Sequence, residues 1–231
     1  MSQLTLAQGG VSAALARGRA EVATVCHRPL AGQLAVDLGA GFGMHAIPLA
    51  DMGYSVLAID SCASLLGTMQ SQLATRSIKI VRDDLRSFKK HLTAPATLIV
   101  CMGDTLTHLP DKPSVEDLIA DVAAALVGGG QFVVTFRDYT TPLIDSQRFI
   151  LVRSDSDRML TCFLEYDADA VTVYDILNER EGSDWRQRIS TYRKLRLSPD
   201  WVAGILEAKG LDVRIEQGPG GAARLIAMRP L

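Results

Sequence analysis

Residues 34–45 read Leu34-Ala35-Val36-Asp37-Leu38-Gly39-Ala40-Gly41-Phe42-Gly43-Met44-His45, an apolar run closed by an acid and then three alternating glycines. Without a Cβ, glycine lets the backbone turn sharply and approach a ligand closely. Asp37 against such a loop would repel a pyrophosphate but accept from an ammonium group. A dinucleotide fingerprint starting at Gly39 needs glycine at position 44, where Met44 stands. In open parallel sheets ligands bind at the carboxyl ends of strands, so the residues closing the later apolar runs are the next candidates. Asp60 closes one of them, followed by Ser61, and suits either ribose hydroxyls or the cap of the next helix. Asp83-Asp84-Leu85 closes another. Two further stretches, Cys101-Met102-Gly103-Asp104-Thr105-Leu106-Thr107-His108-Leu109-Pro110 and Phe136-Arg137-Asp138-Tyr139, put acids, an imidazole and a guanidinium at the same end of the sheet. Arginine meets a carboxylate with two parallel hydrogen bonds, so Arg137 suits an anionic group, or else a salt bridge with Asp104 or Asp138. His108 lies one helical turn beyond Asp104, as a proton acceptor or as a packing residue. His45, directly after the glycine loop, reads as a helix-start residue.

The elements that must hold these residues alternate. Residues 1–30 predict one or two helices broken at Gly9-Gly10 and stopped at His27-Arg28-Pro29, a helical lid. A first strand ending at Val36 is followed by a helix over Ala46–Met52 and a strand over Ser55–Ile59 that ends in Asp60. Next come a helix over Cys62–Ala74 and strands over Ile78–Val81 and Ala96–Cys101. A helix from Ser114, with Ser114 as N-cap, reaches Val127, where Gly128-Gly129-Gly130 ends it before a fifth strand over Gln131–Phe136. Apolar strands separated by helices require a parallel sheet covered on both faces. The rhythm then changes. Phe149–Arg153, Met159–Tyr166, Val171–Leu177 and Ile189–Leu197 are strand-like with only turns between them, an antiparallel insertion over residues 147–197. Ser198-Pro199-Asp200 opens a helix through Lys209, and Leu211–Glu216 with Ala222–Met228 forms a closing antiparallel hairpin. The fold class is therefore α/β, a single domain over residues 1–231 with a small antiparallel β insertion after strand five.

A chain of 231 residues can bury one sizeable core. No run of about 18 uncharged apolar residues is present to span a bilayer, and the first 30 residues lack the apolar block of a signal peptide. A net charge of −2 argues against nucleic acid as partner. Cys26, Cys62, Cys101 and Cys162 are widely spaced, which points to reduced thiols in the cytoplasm, with neither a disulfide frame nor a metal site. Arg186, Arg188, Arg193, Lys194 and Arg196, beside Glu179, Glu181 and Asp184, read as the solvated face of the inserted sheet. Tyr192 and Arg193 are placed where they could still project into an acceptor pocket.

The D-x-G-x-G-x-G pattern of Asp37 to Gly43 after a first strand resembles the first motif of class I S-adenosylmethionine-dependent methyltransferases. That resemblance covers nearly the whole chain, because the family's seven-stranded Rossmann-like sheet also finishes with a helix and an antiparallel hairpin. It implies S-adenosylmethionine as donor, S-adenosylhomocysteine as product and a small-molecule acceptor. It also implies cofactor contacts at Asp37, Gly39, Ala40, Gly41, Gly43, Asp60, Ser61, Asp84, Leu85, Cys101, Met102 and Gly103. The Cys101–Pro110 segment is similar to the C-x-G-N-S-x-x-H-L-P of glycine N-methyltransferases and related small-molecule enzymes, and Phe136–Tyr139 to their H-R-N-Y. By position, Asp104 and Arg137 then line the acceptor pocket beside His108, with Arg137 gripping an acceptor carboxylate. This chain departs from the pattern at Asp104, where an amide becomes a charge that favours an amine or other cation. Two other readings stand beside this one: a non-catalytic protein that kept the cofactor fold, and a nicotinamide-dependent oxidoreductase. Against the second stand Met44, Asp37 and the lack of any Y-x-x-x-K pair.

Overall fold

Uninterrupted apolar runs followed by helices can hide both faces only inside a sheet covered on each side. The computed structural model describes residues 10–27, 29–30 and 32–231, and it builds that arrangement. Helix α1 (Val11–Val25) leads into β1 (Leu34–Leu38), α2 (Ala46–Asp51), β2 (Ser55–Asp60), α3 (Ala63–Gln70) and β3 (Ile78–Arg82). Then come β4 (Ala96–Cys101), α4 (Lys112–Ala125) and β5 (Leu126–Phe136). Four antiparallel strands follow: β6 (Phe149–Ser154), β7 (Arg158–Tyr166), β8 (Ala170–Glu181) and β9 (Asp184–Leu195). Helix α5 (Pro199–Ala208) and the hairpin β10 (Asp212–Gln217) with β11 (Ala223–Met228) complete the chain. The main sheet has the order β10-β11-β5-β4-β1-β2-β3, and β6 to β9 make a second sheet of their own. Strands β1 to β5 are parallel, and β11 runs against both β5 and β10.

Strand parity splits the core in two. Val36, Leu38, Ile99 and Cys101 point into a layer with Val115, Leu118 and Val122 of α4 and Val202 and Leu206 of α5. Ala35, Leu98 and Val100 point the other way, against Val22 of α1, Ile47 and Leu49 of α2 and Met69 of α3. Asp37 has the parity of Ala35, so its carboxylate is carried inward beneath α1 and α2 and is 1% exposed.

Several boundaries move from their sequence expectation, each for a local reason. The first strand continues past Val36 to Leu38, because Val36, Asp37 and Leu38 all pair with Leu57, Ala58 and Ile59 of β2. The helix expected over Cys62–Ala74 ends at Gln70, and Ala74 takes a left-handed φ of 48° in the turn that follows. Helix α4 begins two residues early. Asp111, not Ser114, is its N-cap and accepts from the Ser114 N–H at 2.8 Å, while Pro113 fills the first turn, where no N–H is needed. The helix stops at Ala125, and Gly128–Gly130 belong to an extended β5. Gly129 N–H donates to the Arg229 carbonyl and Arg229 N–H to that of Gly130. The expectation for residues 1–9 lies outside the described residues; α1 itself starts after Gly10.

The second sheet closes over the ends of β4 and β5. Leu164, Val171 and Val173 of its inner face pack on Tyr139, with Cys162 and Tyr192 at the margin. Arg196 ties the two connections together: its guanidinium donates to the carbonyls of Tyr139, Thr140, Asp167 and Ala168.

Candidate functional site

A cavity of about 610 Å³ opens at the carboxyl ends of β1, β2 and β4. Gly39, Gly41 and His45 from the glycine loop, Asp60 and Ser61 from the end of β2, and Asp84 and Leu85 after β3 line it, with Met102, Gly103 and His108 after β4. The three loop glycines serve different needs. A Cβ on Gly39 would stand 2.3 Å from the Thr105 methyl, and one on Gly43 would stand 2.8 Å from Met69, so both are demanded by packing. A Cβ on Gly41 would meet only Leu65, at 3.8 Å, so its bareness leaves the cavity side open. All three have positive φ.

Asp60 fixes this loop. One carboxylate oxygen accepts from the Gly41 N–H at 2.8 Å and the other from the Cys62 N–H at 2.7 Å. Asp60 thereby ties the glycine loop to the start of α3, where Cys62 stands at the N-cap. Asp84 caps the turn over Leu85–His91 through the Arg86 N–H and pairs with the Arg86 side chain at 2.6 Å, while Asp83 pairs with His91 at 2.7 Å. Leu85 stands beside them in the cavity wall.

Asp37 lies one layer behind that wall. Its carboxylate accepts from the Ala46 N–H that opens α2, and Oδ2 has no partner among the described residues. Burial raises its pKa to about 6, against the pull of His45, which is itself held by Glu21 of α1 at 3.0 Å. Cys101 is likewise out of the cavity, turned by strand parity into the α4 layer, where burial keeps its thiol protonated.

At the far end Gly103 and Asp104 both turn left-handed, with φ of 72° and 74°. Thr135 of β5 holds them by accepting from both N–H groups. Asp104 is sequestered. It accepts from the Arg137 backbone N–H at 2.6 Å, from Lys194 Nζ at 2.6 Å and from Tyr139 Oη at 3.4 Å. Burial would raise its pKa, but Lys194 and the hydrogen bonds hold it below the usual carboxylate range. Lys194 is 7% exposed and sits between the rings of Tyr139 and Tyr192. It is not on the solvated face that its neighbours suggested, because β9 alternates and Lys194 takes the inner side. Arg193, on the outer side, donates to the Pro110 carbonyl. The Arg137 guanidinium is exposed and, among the described residues, pairs with neither Asp104 nor Asp138. His108 packs its ring on Tyr192 with centroids 5.4 Å apart. Surrounding protein, and then the Lys194 cation, depress its pKa, so the imidazole is neutral at physiological pH.

A second cavity of about 380 Å³ lies at the opposite, amino end of the strands, lined by Leu34, Ser55, Arg76, Lys79 and His91. Its polar side chains are engaged, Arg76 with Asp51, His91 with Asp83 and Lys79 with the His91 carbonyl. Among the described residues no group of three or more His, Cys, Asp or Glu could hold a metal, and no helix is long and apolar enough to cross a membrane.

Comparison with known proteins shows what this chain is similar to. Residues 35–130 match the methyltransferase domain family. The cypemycin N-terminal methyltransferase of a Streptomyces species is 28% identical over 224 residues, spanning 87% of this chain and 84% of that protein. The chain is an S-adenosylmethionine-dependent methyltransferase, similar to the class I enzymes. The glycine/sarcosine N-methyltransferase of Aphanothece halophytica is 26% identical over 107 residues, 45% of this methyltransferase and 40% of that protein. In fold, this methyltransferase is similar to the crystal structure of DesVI from Streptomyces venezuelae, with a TM-score of 0.79 and 18% identity over 99% of one chain and 96% of the other.

The residues present fit the cofactor S-adenosylmethionine. The loop is bare at Gly41, an acid closes β2, Leu85 and Met102 offer apolar walls, and an orphaned carboxylate oxygen waits beneath for a cation. The sequence reading missed Lys194 and Tyr139. The available signal was the alternation Tyr192, Lys194, Arg196 against the apolar inner residues of β7 and β8.

Proposed function

We propose that this methyltransferase delivers its methyl group to the nitrogen of a small-molecule or peptide amine held between the cavity and the inserted sheet. The observation that carries this reading is His108, a neutral imidazole that lines the acceptor end of the cavity beneath Tyr192. Names of relatives support it: one is a cypemycin N-terminal methyltransferase and another a glycine/sarcosine N-methyltransferase. When bound, S-adenosylmethionine supplies an electrophilic methyl carried on a sulfonium. Asp60, Gly41, Ala40 and Ser61 would hold its sugar end, Asp84 and Leu85 its base, and Asp37 would face its cationic end across the loop. Met102 and Gly103 would border the reacting atoms.

For attack, the nitrogen must present a free lone pair. A neutral imidazole accepts an N–H hydrogen bond and turns that lone pair forward without competing for charge. The amine would gain a bond to the methyl carbon as that carbon's bond to sulfur breaks and its electron pair returns to sulfur as a neutral thioether, and the surplus proton on nitrogen leaves to solvent. Positioning of this kind supplies several kcal/mol of the barrier. The narrower reading is an amine that also bears an anion, for which the exposed Arg137 guanidinium is available. Asp104 does not serve as the amine's partner here, because Lys194 already matches its charge.

The test is mass spectrometric detection of methyl transfer from S-adenosylmethionine to glycine, sarcosine, trialanine and an aminodeoxy sugar, beside a catechol control. N-methylated products are expected. Methylation confined to the catechol would overturn the reading.

A further inference from the structure

The inner face of the inserted sheet carries a second carboxylate that the cofactor site leaves unused. Asp175 of β8 stands directly opposite Cys162 of β7. It accepts from the Cys162 thiol at 2.8 Å and from Tyr192 Oη at 3.5 Å. Tyr192 is the residue whose ring packs on His108, so Asp175 lies one tyrosine away from the cavity wall. The charges around it are already sorted. Lys194 is bound to Asp104, and the Arg137 guanidinium acts on Cys162 only at longer range. Among the described residues Asp175 has no ion-pair partner, although it is half-buried. Cys162 and Tyr192 are neutral donors to it: burial and then Asp175 itself push the Cys162 thiol up to about 12, and the same two causes raise the Tyr192 phenol. A half-buried carboxylate satisfied only by neutral donors gains from a cationic partner.

We propose that Asp175 is the acceptor-recognition carboxylate of this enzyme, engaging the amine of the acceptor while Tyr192 supplies an aromatic wall and His108 accepts the amine's N–H. This rests on the N-methylation reading above. As the nitrogen takes the methyl it becomes cationic, and Asp175 stabilises that developing charge. Aromatic faces favour a cation for the same reason. The assignment moves amine recognition from the strand-four turn to the inserted sheet.

The experiment uses the full chain with S-adenosylmethionine and the amines above. Two amines are matched with hydroxyl analogues as competitors: glycine with glycolate, and trialanine with lactyl-dialanine. Asp175→Asn should raise KM for the best amine about tenfold or more, the scale of a lost charge-assisted contact. It should erase the preference for amine over hydroxyl, and leave S-adenosylhomocysteine affinity by calorimetry within about twofold. Asp175→Glu keeps the charge on a longer arm and should restore most of the preference; it carries the test if the asparagine variant is poorly folded. A folded variant whose amine KM and amine preference match wild type would overturn the proposal while leaving N-methylation standing. A wild-type enzyme that methylates none of the amines would overturn both.

Discussion

The fate of single residues follows from whether their partners are near in sequence. Asp37 is buried with one oxygen unpaired, and its pKa is raised from 3.8 to about 6. For an acid with a raised folded-state pKa, the protonated form is the one the fold prefers. The penalty is absent below the unfolded value, grows as pH rises through both values, and is complete above about 6. At neutral pH it is on the order of 3 kcal/mol, from about 1.4 kcal/mol per unit. Asp37→Asn should therefore raise the melting temperature of the ligand-free enzyme at pH 8 but hardly at pH 4, and it should weaken S-adenosylhomocysteine binding. Equal melting curves at pH 8 would refute that assignment. Gly41→Ala and Gly39→Ala separate the two uses of glycine. The first should leave the fold standing at a cost of about 1–2 kcal/mol for a left-handed alanine, yet reduce cofactor affinity more than tenfold. The second should destabilise the protein outright against Thr105. Calorimetry and thermal melts read both. The positions of Asp37, Asp60 and the glycines at strand ends and in the turn were legible because each strand and the turn after it are contiguous in the chain. Lys194 was not, since its meaning depends on Asp104, 90 positions away, and its charged neighbours disguised it.

Elements show the same division. The βα alternation and the four antiparallel runs could be read from apolar periodicity and turn residues, as could the cap at Ser198, which accepts from the Trp201 N–H. The glycine triplet was misassigned because its hydrogen-bond partner, Arg229, arrives about a hundred residues later and turns an apparent helix stop into strand. Helix α1 makes a contact that no periodicity reveals. A Cβ on its Gly18 would fall 1.9 Å from the Met44 carbonyl oxygen, so helix and glycine loop touch backbone to backbone. Mid-helix glycine costs about 1 kcal/mol relative to alanine, and on propensity alone Gly18→Ala should stabilise. The clash outweighs it. The variant is expected to melt lower and to bind S-adenosylhomocysteine more weakly, because α1 must lift off the loop. A rise in melting temperature would show that α1 does not seat there.

For the whole molecule, a ligand that binds only the folded state stabilises it by mass action, about 2.7 kcal/mol at a hundredfold excess over Kd. In a chain of 231 residues that corresponds to a rise of very roughly 5–10 °C. S-adenosylhomocysteine should produce it and NADH should not. In sequence, the placement of the second sheet over β4 and β5 shows only as Tyr192 and Arg193 able to project into a pocket, since its docking depends on Tyr139, Lys194 and Arg196 meeting across the connections. That meeting has a further consequence. Arg196 bonds to the carbonyls of Tyr139 and Thr140, so the segment from 141 to 195 departs and returns through a single doorway. A segment with adjacent ends can be exchanged with little strain on its host. Grafting the corresponding sheet of another acceptor specificity between those anchors, with Asp104 and Lys194 kept as a matched pair, should yield enzymes that share one donor half and differ in what they methylate.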